Sequence, residues 1–198
     1  MVQAITQVMS NVQVKQANSL QNSLPSVTRY GTKEEFLLTF NPSKQEEFVQ
    51  ARERCFFGTA PTLGELKATY GKEMPSAWIV PQLFNLSEFC GCRDKITKEQ
   101  MRELAGMLTQ QYHYLKVTEW MMFFYQFKSG KYGKFYGAVD PMVITTAIPI
   151  FLQERARAID EIEDAQRKAE REQWAKQAIS YEEYLRLNLR LNNEGKTI

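Results

Sequence analysis

Apolar residues along most of this chain recur every three or four positions, which is the spacing of one buried face of an α-helix. The clearest stripe lies in segment 98–114 and consists of Met101, Leu104, Ala105, Leu108 and Tyr112. No convincing alternation of apolar and polar residues indicates a β-strand. The pattern predicts helices over 33–40, 44–56, 63–70, 75–89, 98–114, 118–128, 141–148, 149–177 and 181–191.

Several of the predicted helices begin with the same kind of capping sequence. A Ser or Thr followed three residues later by Glu or Gln fits the capping box, in which the two side chains satisfy each other's backbone N–H groups. Five such pairs lie at the starts of predicted helices: Thr32–Glu35, Ser43–Glu46, Thr62–Glu65, Thr97–Gln100 and Ser180–Glu183. Together with the helical spacing they predict an all-α chain folded as a compact helical bundle.

The densest apolar segment, 120–127, is apolar or aromatic on nearly every side. A helix of that kind lies at the centre of a bundle. The next helix start is Asp140-Pro141, because aspartate caps free N–H groups and proline fits the first helical position. Pro149 is expected to kink or restart that helix.

Composition divides the chain into three parts. Residues 1–30 are rich in Gln, Asn and Ser and hold no acid and no glycine, which predicts a disordered or conditionally helical arm. Residues 31–150 carry the bundle. Residues 151–198 form a long charged helix and a short C-terminal one, and segment 153–177 fits either a solvated extension or a partner-binding, dimerising helix.

Charge and cysteine content exclude some classes of protein. Residues 1–139 hold 16 Lys/Arg against 12 Asp/Glu, and residues 140–198 hold 9 against 11, far from the strongly basic composition of a dedicated DNA binder. Cys55, Cys90 and Cys92 have no disulfide-framework spacing. With no signal-peptide pattern and no membrane-spanning run, we expect a cytoplasmic protein that does not contact a membrane.

The candidate contact site is the loop 128–137, which contains three lysines, three glycines and no acid. Lysines neutralise phosphates, glycines allow close approach, and aromatic rings stack on bases. The candidate nucleic-acid-binding residues are Lys128, Lys131, Tyr132, Lys134 and Tyr136. The alternative is a tight helix connection whose aromatic rings fold back on the core while its lysines stay solvated.

The sequence does not favour a catalytic site, a zinc site or a DNA-reading helix elsewhere in the chain. His113, the single histidine, is better explained as the end of a helix than as a catalytic base. Cys90 and Cys92 with Cys55 and His113 depart from the paired spacing of structural zinc sites. The helices within 62–89 resemble a helix-turn-helix in outline, but the second offers few base-reading side chains. We therefore expect no catalytic residues, no metal and no cofactor.

A set of motifs resembles an uncharacterised family of Bacteroides-type gut bacteria and their mobile elements over about residues 60–180. The motifs are Tyr70-Gly71, Trp78, Gln82, Leu115 to Glu119, Phe123-Phe124 and, most distinctively, Gly130 to Pro141. The resemblance implies a prophage or conjugative element, where small helical proteins serve DNA replication or regulation. It transfers no residue role.

The sequence therefore predicts a non-enzymatic accessory protein of a mobile genetic element that contacts nucleic acid or a replication protein. The competing hypothesis is a protein–protein interaction module without nucleic-acid binding. It would use the N-terminal arm and the 153–177 helix, which could form a homodimer.

Overall fold

The computed structural model describes residues 29–178 and 182–186. These residues form an all-α fold, as the sequence predicts, and belong to two compact units that divide after Gln153. The α-helices are α1 (Lys33–Thr39), α2 (Gln45–Gln50), α3 (Arg52–Phe57), α4 (Leu63–Tyr70), α5 (Met74–Phe89), α6 (Lys98–Gln111), α7 (Val117–Lys128) and α8 (Pro141–Gln177). The arm predicted at the N-terminus falls on residues 1–28, which lie outside the described residues.

Three of the predicted capping boxes are confirmed, at the starts of α1, α4 and α6. In each, the threonine hydroxyl accepts the N–H of the third helical residue, whose side chain accepts the threonine N–H. At Thr62 the two N···O distances are 3.1 Å and 2.8 Å. The Ser180 pair falls outside the described residues.

The capping box expected at Ser43 is wrong. Asn41 caps this region instead: its Oδ1 accepts the Ser43 N–H at 3.0 Å and begins a short 3₁₀ turn, Pro42–Lys44. Ser43 therefore lies inside the turn, and α2 begins after it without a side-chain cap. The single helix predicted over 44–56 is also wrong, because Ala51 leaves helical geometry and separates α2 from α3.

Helix α7 is the centre of the first unit, as its apolar composition predicts. It packs against α2, α3 and α5, and most of its side chains are buried. Phe123 contacts the Phe124, Phe127 and Phe151 rings at centroid distances of 5.4–5.9 Å. Such edge-to-face contacts suit the ring quadrupoles.

Helix α8 starts where Asp140-Pro141 predicts. The Asp140 carboxylate accepts the Met142 N–H at 2.8 Å, and Val139 and Ile144 are buried on either side. The restart expected at Pro149 does not occur, because α8 continues through Pro149 to Gln177. Ile144, Ala147, Ile148 and Phe151 are buried, so packing of this segment offsets the backbone hydrogen bond that proline removes.

The second unit begins at Glu154, and its part of α8 is dominated by charged, exposed side chains. Of the short helix predicted over 181–191, residues 182–186 are described, and they are helical and exposed. Among the described residues, no helix combines the length and the apolar character needed to cross a membrane.

Candidate functional site

The loop that follows α7 is anchored to the core by its own aromatic rings. The Tyr132 ring stacks on Phe123 at 5.5 Å, and the Phe135 ring stacks on Phe127 at 5.2 Å. The Tyr132 hydroxyl also donates to the Gln126 amide oxygen. Two of the loop's three aromatic residues therefore hold its path against α7, as the alternative interpretation of this segment expects.

The three loop glycines make this path possible. Gly130, Gly133 and Gly137 have φ angles of 82°, 107° and 78°. These angles are strained for any residue with a Cβ, whereas glycine adopts them freely. The backbone reverses direction at these points and leaves Lys131, Lys134 and Tyr136 exposed, with Tyr136 89 % accessible.

Lys128 corrects the expectation that the loop lysines are all solvated. Its side chain is half-buried, and its ammonium donates to Asn85 Oδ1 at 2.9 Å and lies 5.5 Å from the centre of the Phe89 ring. Burial lowers the pKa of Lys128 below its ordinary value, because partial removal from water disfavours the charged form. Lys128 therefore helps to join α7 to α5.

A second loop, which sequence reasoning missed, lies beside the first. The Asp94 N–H donates to the Gly137 carbonyl at 3.1 Å, and the Val139 N–H donates to the Asp94 carbonyl at 2.9 Å. These bonds form an isolated parallel bridge between Asp94 and Ala138. The 90–96 loop is thereby fixed against the 128–139 loop, although more than 30 residues separate them in the sequence.

We call these two segments, 90–96 and 128–139, together with the neighbouring Phe89, the two-loop surface. The segments contain five basic side chains and one acidic one: Arg93, Lys95, Lys128, Lys131 and Lys134 against Asp94. Phe89 is 63 % exposed. Lys95 is engaged locally, since its ammonium donates to the Ser87 carbonyl at 3.0 Å and lies 3.6 Å from Glu88 Oε1.

The other residues that the sequence singles out make contacts that stabilise the fold. Glu119 is buried, and its Oε2 accepts the Lys116 N–H at 2.8 Å, so it closes the N-terminus of α7. Gln82, a potential base-reading residue of the helix-turn-helix-like pair, is buried, and Asn85 is the partner of Lys128. The α4–α5 hairpin therefore uses these two amides in contacts within the protein, Gln82 with Gln45 and Asn85 with Lys128.

His113 lies beyond the end of α6, which stops at Gln111, three residues earlier than predicted. Its carbonyl accepts the Gly64 N–H at 2.8 Å, and its side chain lines an open cleft of about 430 Å³ with Lys67, Lys72 and Glu73.

The cysteines do not form a metal site with His113. Burial raises the pKa of the Cys90 thiol. Within the described part of the chain, no group of three or more His, Cys, Asp or Glu side chains could hold a metal ion.

Comparison with known proteins places the second half of the chain in a family. Neither the curated proteins nor the solved structures give a match. The model of a family of unknown function, DUF6633, matches residues 95–196, a segment that contains α6, α7, the 128–139 loop and α8. Because this match covers just over half of the chain, the protein belongs to the DUF6633 family.

Proposed function

We propose that the protein is a non-enzymatic binder of single-stranded nucleic acid that uses the two-loop surface. The observation that carries this proposal is the pairing of two loops with five basic residues and one acidic residue, flanked by exposed aromatic rings at Phe89 and Tyr136. Basic side chains interleaved with aromatic rings suit a phosphate backbone with unstacked bases. No catalytic residue, metal or cofactor is part of the proposal.

In this proposal the exposed basic side chains bind phosphates and the aromatic rings stack on bases. Arg93, Lys131 and Lys134 are exposed and contact phosphates, while Lys128 remains bound to Asn85. Tyr136 stacks on a base, and Phe89 offers a second ring. Tyr132 acts through its contact with Phe123, which holds the loop in place. Single strands are preferred because their bases are free to stack on protein rings.

The biological setting we propose rests on the sequence resemblance described above. We infer an accessory role in a mobile genetic element of Bacteroides-type bacteria, in the cytoplasm, in contact with nucleic acid or with a replication protein. The distinctive segment Gly130 to Pro141 that carries the resemblance also forms most of the proposed contact loop.

Salt dependence of binding tests the proposal directly. Binding of a fluorescent oligothymidylate is measured by anisotropy over a range of salt concentrations. Three cations that neutralise three phosphates of a single strand give a slope of log K against log salt of about −2, because each contact contributes roughly −0.7. The Lys131→Ala/Lys134→Ala variant removes two contacts and is expected to reduce the slope to about −0.7. Tyr136→Ala is expected to lose about 1–3 kcal/mol of binding free energy.

A matched control removes the same charge elsewhere. Lys67 and Lys72 are exposed and line the cleft near His113, so Lys67→Ala/Lys72→Ala changes net charge equally without touching the two-loop surface. The control is expected to retain the wild-type slope. Failure of the wild type to bind DNA or RNA at low salt refutes the proposal, as does an equal loss of slope in both variants.

A second candidate function is a protein–protein module that acts through the N-terminal arm and the 153–177 helix. The observation that favours it is Trp174, which is 76 % exposed near the end of α8. A large exposed ring is a common anchor of protein interfaces. If the helix dimerises, sedimentation equilibrium gives a dimer whose dissociation constant is nearly independent of salt, and Trp174→Ala shifts it toward monomer.

A further inference from the structure

A basic cleft, distinct from the cleft near His113, lies in the first unit and is lined mainly by residues between 29 and 60. It has a volume of about 370 Å³ and lies between the start of the described chain, the α1–α2 connection and the end of α3. Its charged walls are Arg29, Lys44, Arg54 and Glu47. This volume is in the range of pockets that hold small ligands.

The charge of the cleft favours an anion. Three of the charged side chains that line it are basic and one is acidic, and two of the basic ones, Lys44 before Ala51 and Arg54 after it, are exposed. The Arg54 guanidinium lies 5.9 Å from the centre of the Phe48 ring, so packing on the ring restricts its position. An arginine restrained in this way loses less freedom when it binds an oxyanion.

Side-chain donors reduce the partial negative charge of the cleft wall formed by the C-terminal end of α3. Backbone carbonyls at that end carry partial negative charge. The Lys116 ammonium donates to the Phe56 and Gly58 carbonyls at 2.7 and 2.8 Å, and the Thr118 hydroxyl donates to the Cys55 carbonyl at 2.8 Å. These donors satisfy the carbonyls that would otherwise repel an anion.

The cleft also offers aromatic surface beside its cations. Tyr30, Phe40 and Phe48 line it, but Phe48 is 4 % exposed and its ring stacks on Phe40 at 6.2 Å, so the half-buried Tyr30 and Phe40 rings supply the accessible aromatic surface. A ligand that combines an anionic group with a planar ring would use both kinds of wall.

We propose that this cleft binds a phosphate monoester attached to a nucleoside, with Lys44 and Arg54 on the phosphate and the Phe40 ring against the base. The ligand has two possible sources: a free nucleoside monophosphate or the 5′-phosphorylated end of a nucleic-acid strand. The site is separate from the two-loop surface, and the inference does not depend on the function proposed for that surface.

Calorimetric titration with AMP, adenosine and inorganic phosphate tests the site. AMP is expected to bind with one site per chain and adenosine more than tenfold more weakly. Lys44→Gln and Arg54→Gln are each expected to weaken AMP binding about tenfold, because each removes one charge-assisted contact. The matched control Lys72→Gln, which removes a lysine from the cleft near His113, is expected to bind AMP as the wild type does.

A second arm separates the two sources. A 5′-phosphorylated oligothymidylate and its 5′-hydroxyl counterpart are compared in the Lys131→Ala/Lys134→Ala background, which removes contacts of the two-loop surface and leaves the cleft intact. A preference for the phosphorylated strand that Lys44→Gln abolishes identifies a strand end as a ligand. Lys44 is exposed on a turn, so this variant is expected to fold, and its unfolding temperature verifies that.

The inference is overturned if neither AMP nor the phosphorylated strand end binds. It is also overturned if Lys72→Gln weakens binding as much as Arg54→Gln, because a general loss of positive charge would then explain the effect. Weaker binding of the 5′-hydroxyl oligonucleotide in the Lys131→Ala/Lys134→Ala variant, with AMP binding retained, would support two independent sites.

Discussion

The buried amide pair Gln45–Gln82 offers a direct test of how the bundle is held together. Gln45 Nε2 donates to Gln82 Oε1 at 2.6 Å, and Gln82 Nε2 donates to the Phe40 carbonyl at 3.2 Å. Both glutamines are at most 1 % exposed. The Phe40 carbonyl also accepts the Trp78 indole N–H at 2.9 Å, so it keeps one donor whatever happens to Gln82.

Replacing Gln82 by leucine keeps a similar side-chain volume but removes the acceptor of Gln45. A buried amide left without a partner costs about 1–3 kcal/mol, and the lost hydrogen bond to Phe40 costs about 1 kcal/mol more. Gln82→Leu is therefore expected to destabilise the fold by about 2–4 kcal/mol. Gln45→Leu is expected to cost about 1 kcal/mol, since it leaves the Gln82 oxygen buried without its donor but also removes the Gln45 Oε1, which is buried without a hydrogen-bond partner.

The double variant Gln45→Leu/Gln82→Leu is expected to be more stable than Gln82→Leu alone, because no unpaired amide then remains at this contact. Urea unfolding followed by far-ultraviolet circular dichroism gives all four free energies of a double-mutant cycle. The sum of the two single losses should exceed the loss of the double variant by more than 1 kcal/mol. Additive losses would refute the reasoning, since they would mean that the two amides do not depend on each other.

Two further predictions concern single side chains. Asn41→Ala is expected to destabilise the fold by about 0.5–1 kcal/mol through loss of its cap, whereas Ser43→Ala is expected to change the free energy of unfolding by less than about 0.3 kcal/mol. Urea unfolding of both variants measures the two losses. A larger loss for Ser43→Ala than for Asn41→Ala would contradict the observed cap. The lowered pKa of Lys128 means that the unfolded chain binds this proton more tightly than the folded chain does, so this group makes the folded protein more stable as pH rises toward 10.5. Lys128→Met is expected to remove that contribution. The free energy of unfolding of the wild type minus that of the variant, measured from pH 8 to 10.5, must therefore increase with pH.

Features of the fold that depend on a few neighbouring residues are already determined by the sequence. The caps at Thr32, Thr62 and Thr97 form within one helical turn, so their side-chain types and spacing suffice to predict them. The start of α8 at Asp140-Pro141 is local in the same way. The apolar character of α7 on all sides likewise predicts its central position, because such a helix must bury every face.

Competition between local signals is harder to resolve from sequence. Ser43 and Asn41 are both good caps, and the fold uses Asn41 because Pro42 follows it and fits the first position of the turn. Pro149 is a strong local breaker, yet α8 continues through it, where the burial of Ile148 and Phe151 outweighs the missing hydrogen bond. Packing energy of this kind depends on neighbours that are distant in the chain.

The candidate sites show the same division. Sequence alone identified the lysines, glycines and aromatic residues of the 128–137 loop, because composition is a local property. Only the tertiary structure brought the 90–96 loop beside it, bound Lys128 to Asn85, and placed Lys44 and Arg54 around one cleft. These arrangements follow from helices that pack across the bundle, and no spacing along the chain encodes the distance between such side chains.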